Sequence, residues 1–165
     1  MRISQCREED LELLEAHMPL RGAATPHEAR YARQRQGSAT FLLAWKDRRP
    51  VGSCEIRWAG CEAPEVRAAH PGCPEVHGLG AWHGALRRSQ NISTALLQEV
   101  ERLAAERGCR AVGLGVEKNN PRASALYGHL GYRDSVPYLD CWSYQDGAGV
   151  IHRVADACLF MIKKL

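Results

Sequence analysis

The sequence predicts a single α/β domain spanning residues 1–165, a mixed α+β chain in which about four helices flank a sheet of six to seven strands, and three observations carry this. At 165 residues and 45% hydrophobic content, the chain is long enough to bury one core without staples and too short for two. Strand-like apolar runs alternate with helical periodicity along its length. Between Pro74 and Glu117 a strand, a long helix and another strand follow one another closely, which is the pattern of a right-handed parallel crossover.

Charge and cysteine content narrow the class. With 22 Lys and Arg against 19 Asp and Glu, the net charge of +3 gives no reason to expect nucleic acid or an anionic membrane as a partner. The seven cysteines (Cys6, Cys54, Cys61, Cys73, Cys109, Cys141, Cys158) are odd in number and scattered, mostly in apolar context, as expected of free thiols in a reduced cytoplasmic protein. The start MRISQCREED turns acidic before any apolar run, and no window reaches the 18 or so apolar residues of a membrane span. A soluble, intracellular protein is the expectation.

The elements can be justified in order. Arg2 to Cys6 is a short strand, and Arg7 to Met18 a helix with Leu11 and Leu14 on one face, ended by Pro19. Leu20 to Gly37 holds a mostly polar, hence superficial, helix with Thr25 as N-cap and Pro26 at its first position. Ser38 to Lys46 and Pro50 to Trp58 are β-rich runs joined by Asp47, Arg48 and Arg49, a hairpin. Ala59 to Cys73 reads as a loop rich in Ala, Pro and Gly.

Pro74 to Trp82 (PEVHGLGAW) is uncharged after Glu75, as expected of a central strand covered on both faces. Ile92, Ala95, Leu96, Val100, Leu103 and Ala104 then recur at helical spacing up to Gly108, about five turns. Ala111 to Glu117 is the next strand. Asn120 as N-cap, Pro121 after it, Ala123, Leu126, Tyr127 and Leu130 on one face and Gly131 at the exit define a short helix. Tyr132 to Tyr144 and Val150 to Ile162 form a final hairpin around Gln145 to Gly149.

The start of the long helix is the first candidate site. Arg87, Arg88, Ser89, Gln90 and Asn91 lead into it, so free backbone N–H groups, the positive end of the helix dipole and guanidinium groups converge. Two readings remain open from these residues alone: a phosphate site, or a solvated basic turn with Asn91 as a simple cap.

Two motifs resemble those of the GCN5-related N-acetyltransferase (GNAT) superfamily. Arg88, Asn91 and Ser93, followed by Thr94, Ala95, Leu96 and Leu97, are similar to the family's phosphate-binding run, with Asn91 and Ser93 where small residues are usual. NNPRASALYGHLGYRD, Asn119 to Asp134, resembles its second run, through Asn120, Ala123, Leu126, Tyr127, Gly131 and Tyr132. The resemblance implies a GNAT-type acyl-CoA N-acyltransferase fold, its twisted sheet split between the fourth and fifth strands, with acetyl-CoA as cosubstrate in the opening. It implies further that the backbone of Leu79, Ala81 and Trp82 holds the pantetheine arm. Arg88, Ser89, Gln90, Asn91, Ile92, Ser93 and Thr94 would hold the pyrophosphate, and Asn120 the far end of the arm.

Acetyl transfer to an amine needs a neutral amine, a polarised carbonyl and a proton for the departing thiolate. Tyr127 resembles the family's general acid, and a phenol with a reference pKa near 10 suits a thiol leaving group near 8.5. Glu75, at a position where some members carry a catalytic glutamate, is the candidate base, with His77 on the same face two residues on; a merely solvated strand start is the alternative for Glu75. Gly78, Gly80 and Gly84 fall short of a dinucleotide fingerprint by spacing. Cys61, His70, Cys73 and His77 lack the short paired spacing of a zinc site, so no metal is expected.

The expected function is therefore acetyl-CoA-dependent transfer of an acetyl group to a primary amine of a small molecule, peptide or protein. The alternatives are a family member that binds coenzyme A or an amine without turnover, and an interaction domain unrelated to the coenzyme. The sequence leaves open whether the protein is a monomer or a homodimer.

Overall fold

The computed structural model describes residues 1–19, 26–81 and 86–165, with no account of the side chains of 86–90. The chain runs β1 (Arg2–Gln5), a 3₁₀ turn (Glu8–Asp10), α1 (Leu11–His17), α2 (His27–Arg35), β2 (Ala39–Lys46), β3 (Arg49–Arg57) and α3 (Pro64–Ala69). It continues through β4 (Glu75–Ala81), α4 (Leu86–Glu106), β5 (Ala111–Glu117), α5 (Pro121–His129), β6 (Arg133–Gln145) and β7 (Ile151–Lys164). One seven-stranded sheet has the order β1-β2-β3-β4-β5-β7-β6, antiparallel throughout except between β4 and β5. This is the mixed sheet expected, with a fifth helix.

The two faces are covered differently. On one, the apolar stripe of α4 (Ile92, Leu96, Leu97, Val100) meets Leu42 and Ala44 of β2, Cys54 and Ile56 of β3, Val76 of β4, Val112 and Leu114 of β5 and Met161 of β7 in one continuous core. On the other there are two cores. Leu14 and Met18 cover Phe41, Leu43 and Trp45 at one end, and Val66 of α3 with Cys61 and Cys73 joins Tyr138, Cys158 and Phe160 at the other. The strands between them carry Glu55, Arg57, Glu75 and His77, so this face has a charged gap at its middle.

Several local expectations change. The segment 59–73 contains α3, whose single buried residue, Val66, is too little apolar signal to announce a helix. α2 is not superficial: His27 and Arg30 are fully covered, and its buried side is polar. Pro26 immediately precedes it without a side-chain cap, and Thr25 lies outside the described residues. The β2–β3 hairpin turns through Asp47 (φ 50°) and Arg48 (φ 62°), the two left-handed residues of a type I′ turn. Among the described residues no helix is long and apolar enough to cross a membrane.

Candidate active site

β4 and β5 belong together for only a short way. Their register pairs are Glu75 with Gly113 and Val76 with Leu114, and the Gly113 N–H donates to the Pro74 carbonyl at 3.0 Å. Past Val76, β4 runs on to Ala81 and β5 to Glu117 without further pairing, while β5 stays paired with β7 to its end. The sheet is therefore open between its fourth and fifth strands.

A bulge accounts for the divergence. His77 pairs with Glu55 and Gly80 with Ser53, so Gly78 and Leu79 stand opposite the single residue Cys54. Gly78 has φ 60°, a left-handed conformation that a side chain resists, and the extra residue bends and twists β4. It also reverses which residues face which way. Glu75 and His77, before the bulge, lie on the side of α2, whereas Leu79 and Ala81, after it, pack toward the α4 core. Neither is fully buried, nor is Gly80, and Gly78 is exposed, so the far half of β4 is not the doubly covered strand expected. Among the described residues, the β4 edge facing the opening has no strand partner from Gly78 to Ala81.

α5 begins where β5 ends. Asn120 caps it, its Oδ1 accepting the Ala123 N–H at 3.1 Å, with Pro121 in the first turn. Tyr127 packs against the α4 core, its ring centroid 6.2 Å from that of Tyr132. Burial raises its phenol above the ordinary value, and Cys54 on β3 acts in the same direction. Its hydroxyl donates to no described residue, whereas the fully buried Tyr132 donates to Glu101 at 3.2 Å. Tyr132 is thus tied into the structure.

The long helix begins at Leu86, more than a turn before Asn91, which overturns the reading of Asn91 as its cap. Within the helix its free N–H groups are those of Leu86, Arg87 and Arg88. Of the expected phosphate cradle, Arg88 and Ser89 belong to this end and Gln90 closes the turn. Asn91 is exposed in the second turn, Ser93 and Thr94 are half-buried, and the Ile92 side chain belongs to the core. Trp82 lies outside the described residues, as do the side chains of Arg88, Ser89 and Gln90.

The α2 side of the opening is strongly polar. Glu75 is not solvated at its strand start: it is 4% exposed, and burial pushes its carboxyl up to about 7 against the pull of Arg57, with Asp140 and Glu62 adding to the rise. His77 is held down to about 4, by burial and then by Arg57. The Tyr138 hydroxyl occupies the space over Gly115, where a Cβ would overlap it. Glu55 is sealed from solvent and takes both arms of the Arg33 fork, at 2.5 and 2.9 Å. Burial opposes its charge, yet Arg33, Arg57 and Arg30 together hold its carboxyl below the usual range.

The thiols here are poor nucleophiles. Burial raises Cys54 and Cys61 to about 12 and Cys73 to about 11, so none is a thiolate near neutrality. Among the described residues no group of His, Cys, Asp or Glu is arranged to hold a metal.

The sequence reading missed the Gly78 bulge and the Arg30–Glu55–Arg33 cluster. Glu55 in the middle of an apolar strand was the available signal, since a buried carboxylate requires cations, and Arg30 and Arg33 stand one helical turn apart on α2.

Comparison with known proteins bears on this arrangement. Residues 10–132 match the sequence model of the acetyltransferase (GNAT) family, and the chain belongs to that family. No curated protein matches it. Among solved structures, a ribosomal-protein-alanine N-acetyltransferase from Brucella melitensis superposes with a TM-score of 0.68 at 22% identity, covering 100% of both chains. A GNAT family acetyltransferase from Elizabethkingia anophelis with acetyl-CoA bound gives 0.64 at 14%, over 99% of this chain and 97% of that one. A PaiA N-acetyltransferase from Thermoplasma acidophilum in complex with coenzyme A gives 0.64 at 18%, over 99% and 98%. At these identities the likeness concerns the fold.

Proposed function

We propose that this protein transfers the acetyl group of acetyl-CoA directly to a primary amine of a small molecule, peptide or protein. The observation that carries the reading is the opening that starts at Val76 and Leu114, with a bulged strand edge on one side and Tyr127 on the helix that follows the other. Family membership and two similar folds solved with acetyl-CoA or coenzyme A support it.

The residues fit the cosubstrate. Backbone groups from Leu79 to Ala81 on the β4 edge, which has no strand partner there among the described residues, suit the amides of a pantetheine arm, and the free N–H groups of the α4 start suit a diphosphate. A backbone N–H aimed at the thioester oxygen stabilises the negative charge that develops there during attack. Tyr127 supplies the proton to the departing sulfur, its raised pKa keeping the phenol protonated until then. Glu75, near the vertex of the opening and pushed up to about 7, accepts the proton of the attacking amine through water. The amine attacks the thioester itself, because the buried cysteines beside the opening stay protonated and offer no acyl acceptor.

Thiol release from acetyl-CoA with a broad panel of amines tests the proposal, and absence of turnover with every amine counts against it. One observation favours a second reading, binding without turnover. Asn91 and Ser93 replace the small residues usual in the phosphate run, and the helix has already begun before them. Calorimetric binding of acetyl-CoA without thiol release would decide for that reading.

A further inference from the structure

Arg30 has no part in the chemistry above, and its surroundings are costly. It is 4% exposed on α2, its guanidinium carbon 4.2 Å from the centre of the Phe41 ring. Nη1 donates to Ser53 Oγ at 3.1 Å and Nη2 to the Gly78 carbonyl at 3.3 Å, while Nε stands 3.9 Å from Glu55 Oε2 and donates to no described residue. Packing alone does not call for a cation here: an apolar side chain over Phe41 would avoid the desolvation of Arg30, and Glu55 would keep Arg33 and Arg57 as partners. What only a forked donor can do is grip both strands at the bulge, β3 through Ser53 and β4 through Gly78.

The Gly78 carbonyl and the Leu79 N–H belong to one planar trans peptide and point in opposite directions. Fixing the carbonyl on the α2 side therefore fixes the Leu79 N–H away from it. Gly78 at φ 60° leaves this peptide with no side chain of its own to limit rotation. We propose that Arg30 is a positioning residue, which holds the Gly78 carbonyl from behind the sheet and so aims the Leu79 N–H at the thioester oxygen. Glu55, anchored by Arg33, keeps the Arg30 charge in place. The inference rests on the acetyl-transfer reading of the opening, and it names how that opening is kept in shape.

The test uses the full chain with acetyl-CoA and the best amine from the panel, comparing Arg30→Met and Arg30→Lys with Leu14→Ala. The last makes a cavity under α1, away from β4, and serves as the stability control. The expected result is a fall in kcat of about tenfold or more for Arg30→Met, with the acceptor KM within about twofold, as for a misdirected oxyanion donor. Arg30→Lys recovers part of the loss, because its compact ammonium still donates but lacks the fork that spans Ser53 and Gly78. A loss no larger than that of Leu14→Ala at matched folded fraction, or an unchanged kcat, overturns the inference.

A second readout needs no turnover. In the coenzyme-free protein the Leu79 amide resonance moves on Arg30→Lys, and an unmoved resonance also overturns the inference, including where Arg30→Met fails to fold. Absence of both coenzyme binding and turnover in the parent protein is a different failure, that of the acetyl-transfer reading, and leaves the amide measurement to decide on Arg30.

Discussion

Tyr127 has the environment of an acid that keeps its proton until a stronger base appears beside it: half-buried, with its titration raised and its hydroxyl donating to no described neighbour. Tyr127→Phe should lower kcat on the order of a hundredfold while leaving coenzyme affinity within about twofold, measured by thiol release and calorimetry. A parallel loss of affinity would assign the phenol to binding.

Glu75 and His77, two residues apart, give opposite signs to the pH dependence of stability. Between about 4.5 and about 7 the folded state holds a Glu75 proton that the unfolded chain has released, so this residue makes stability fall as pH rises through that window. Between about 4 and 6.5 the unfolded chain takes a proton that the folded His77 refuses, so His77 makes stability rise with pH. Where the windows overlap the two oppose each other. Arg57 faces both, and Cys61, Asp140 and Glu62 face Glu75. Glu75→Gln should therefore melt higher than the parent at pH 8 and lose that advantage at pH 4. An equal shift at both pH values would rule out the buried charge as its cause. Glu55→Ala should cost about 3–5 kcal/mol in urea unfolding, because it strands the buried Arg30, and the partly buried Arg33 and Arg57, without their partner.

At the scale of the element, the bulge and the start of α4 decide where a cosubstrate can lie. Gly78→Ala should lower stability by about 1–2 kcal/mol, since the residue must keep φ 60° and its Cβ would come within 3.3 Å of Arg30 Nη2. Turnover should fall with it. Arg88→Ala at the first turn of α4 should raise the KM for acetyl-CoA with little change in kcat, as steady-state kinetics would show.

The legibility of these elements in the sequence follows their physics. α5 could be read because cap, proline, apolar stripe and terminal Gly131 agree. The α4 start could not: its apolar stripe becomes regular only at Ile92, and the polar residues before it continue the helix without a pattern. α2 misled in the opposite way, since the side it buries carries His27 and Arg30. Glu75 could be singled out as ionisable, but the groups that act on its charge include Cys61 and Asp140, which are distant in the chain.

For the molecule as a whole, strand–helix–strand order made the parallel β4–β5 crossover legible, while the split came only through family resemblance. A strand's sequence records what its faces touch and is nearly silent about a missing edge partner. Hydrogen exchange should expose the seam directly: amides in the middle of β2 and β3 stay protected, those from Gly78 to Ala81 exchange faster, and the latter slow when acetyl-CoA is added. Equal protection across β4 with and without acetyl-CoA would contradict an accessible edge.

The divided apolar covering on the α2 side has a mechanical consequence. The Leu14–Phe41 cluster and the Tyr138–Phe160 cluster act as two leaves of a book, with α4 as the spine that joins them from behind. The second leaf itself crosses the opening, since Cys61, Val66 and Cys73, which lead into β4, pack on Tyr138 of β6 and on Cys158 and Phe160 of β7, so the stiffness of the clamp on whatever enters is set by that leaf together with the spine. A cavity cut in the spine, by Leu96→Ala, should loosen the grip on acetyl-CoA from beneath the sheet, whereas an equal cavity inside the Leu14–Phe41 leaf, which lies wholly on one side of the opening, should leave it nearly unchanged.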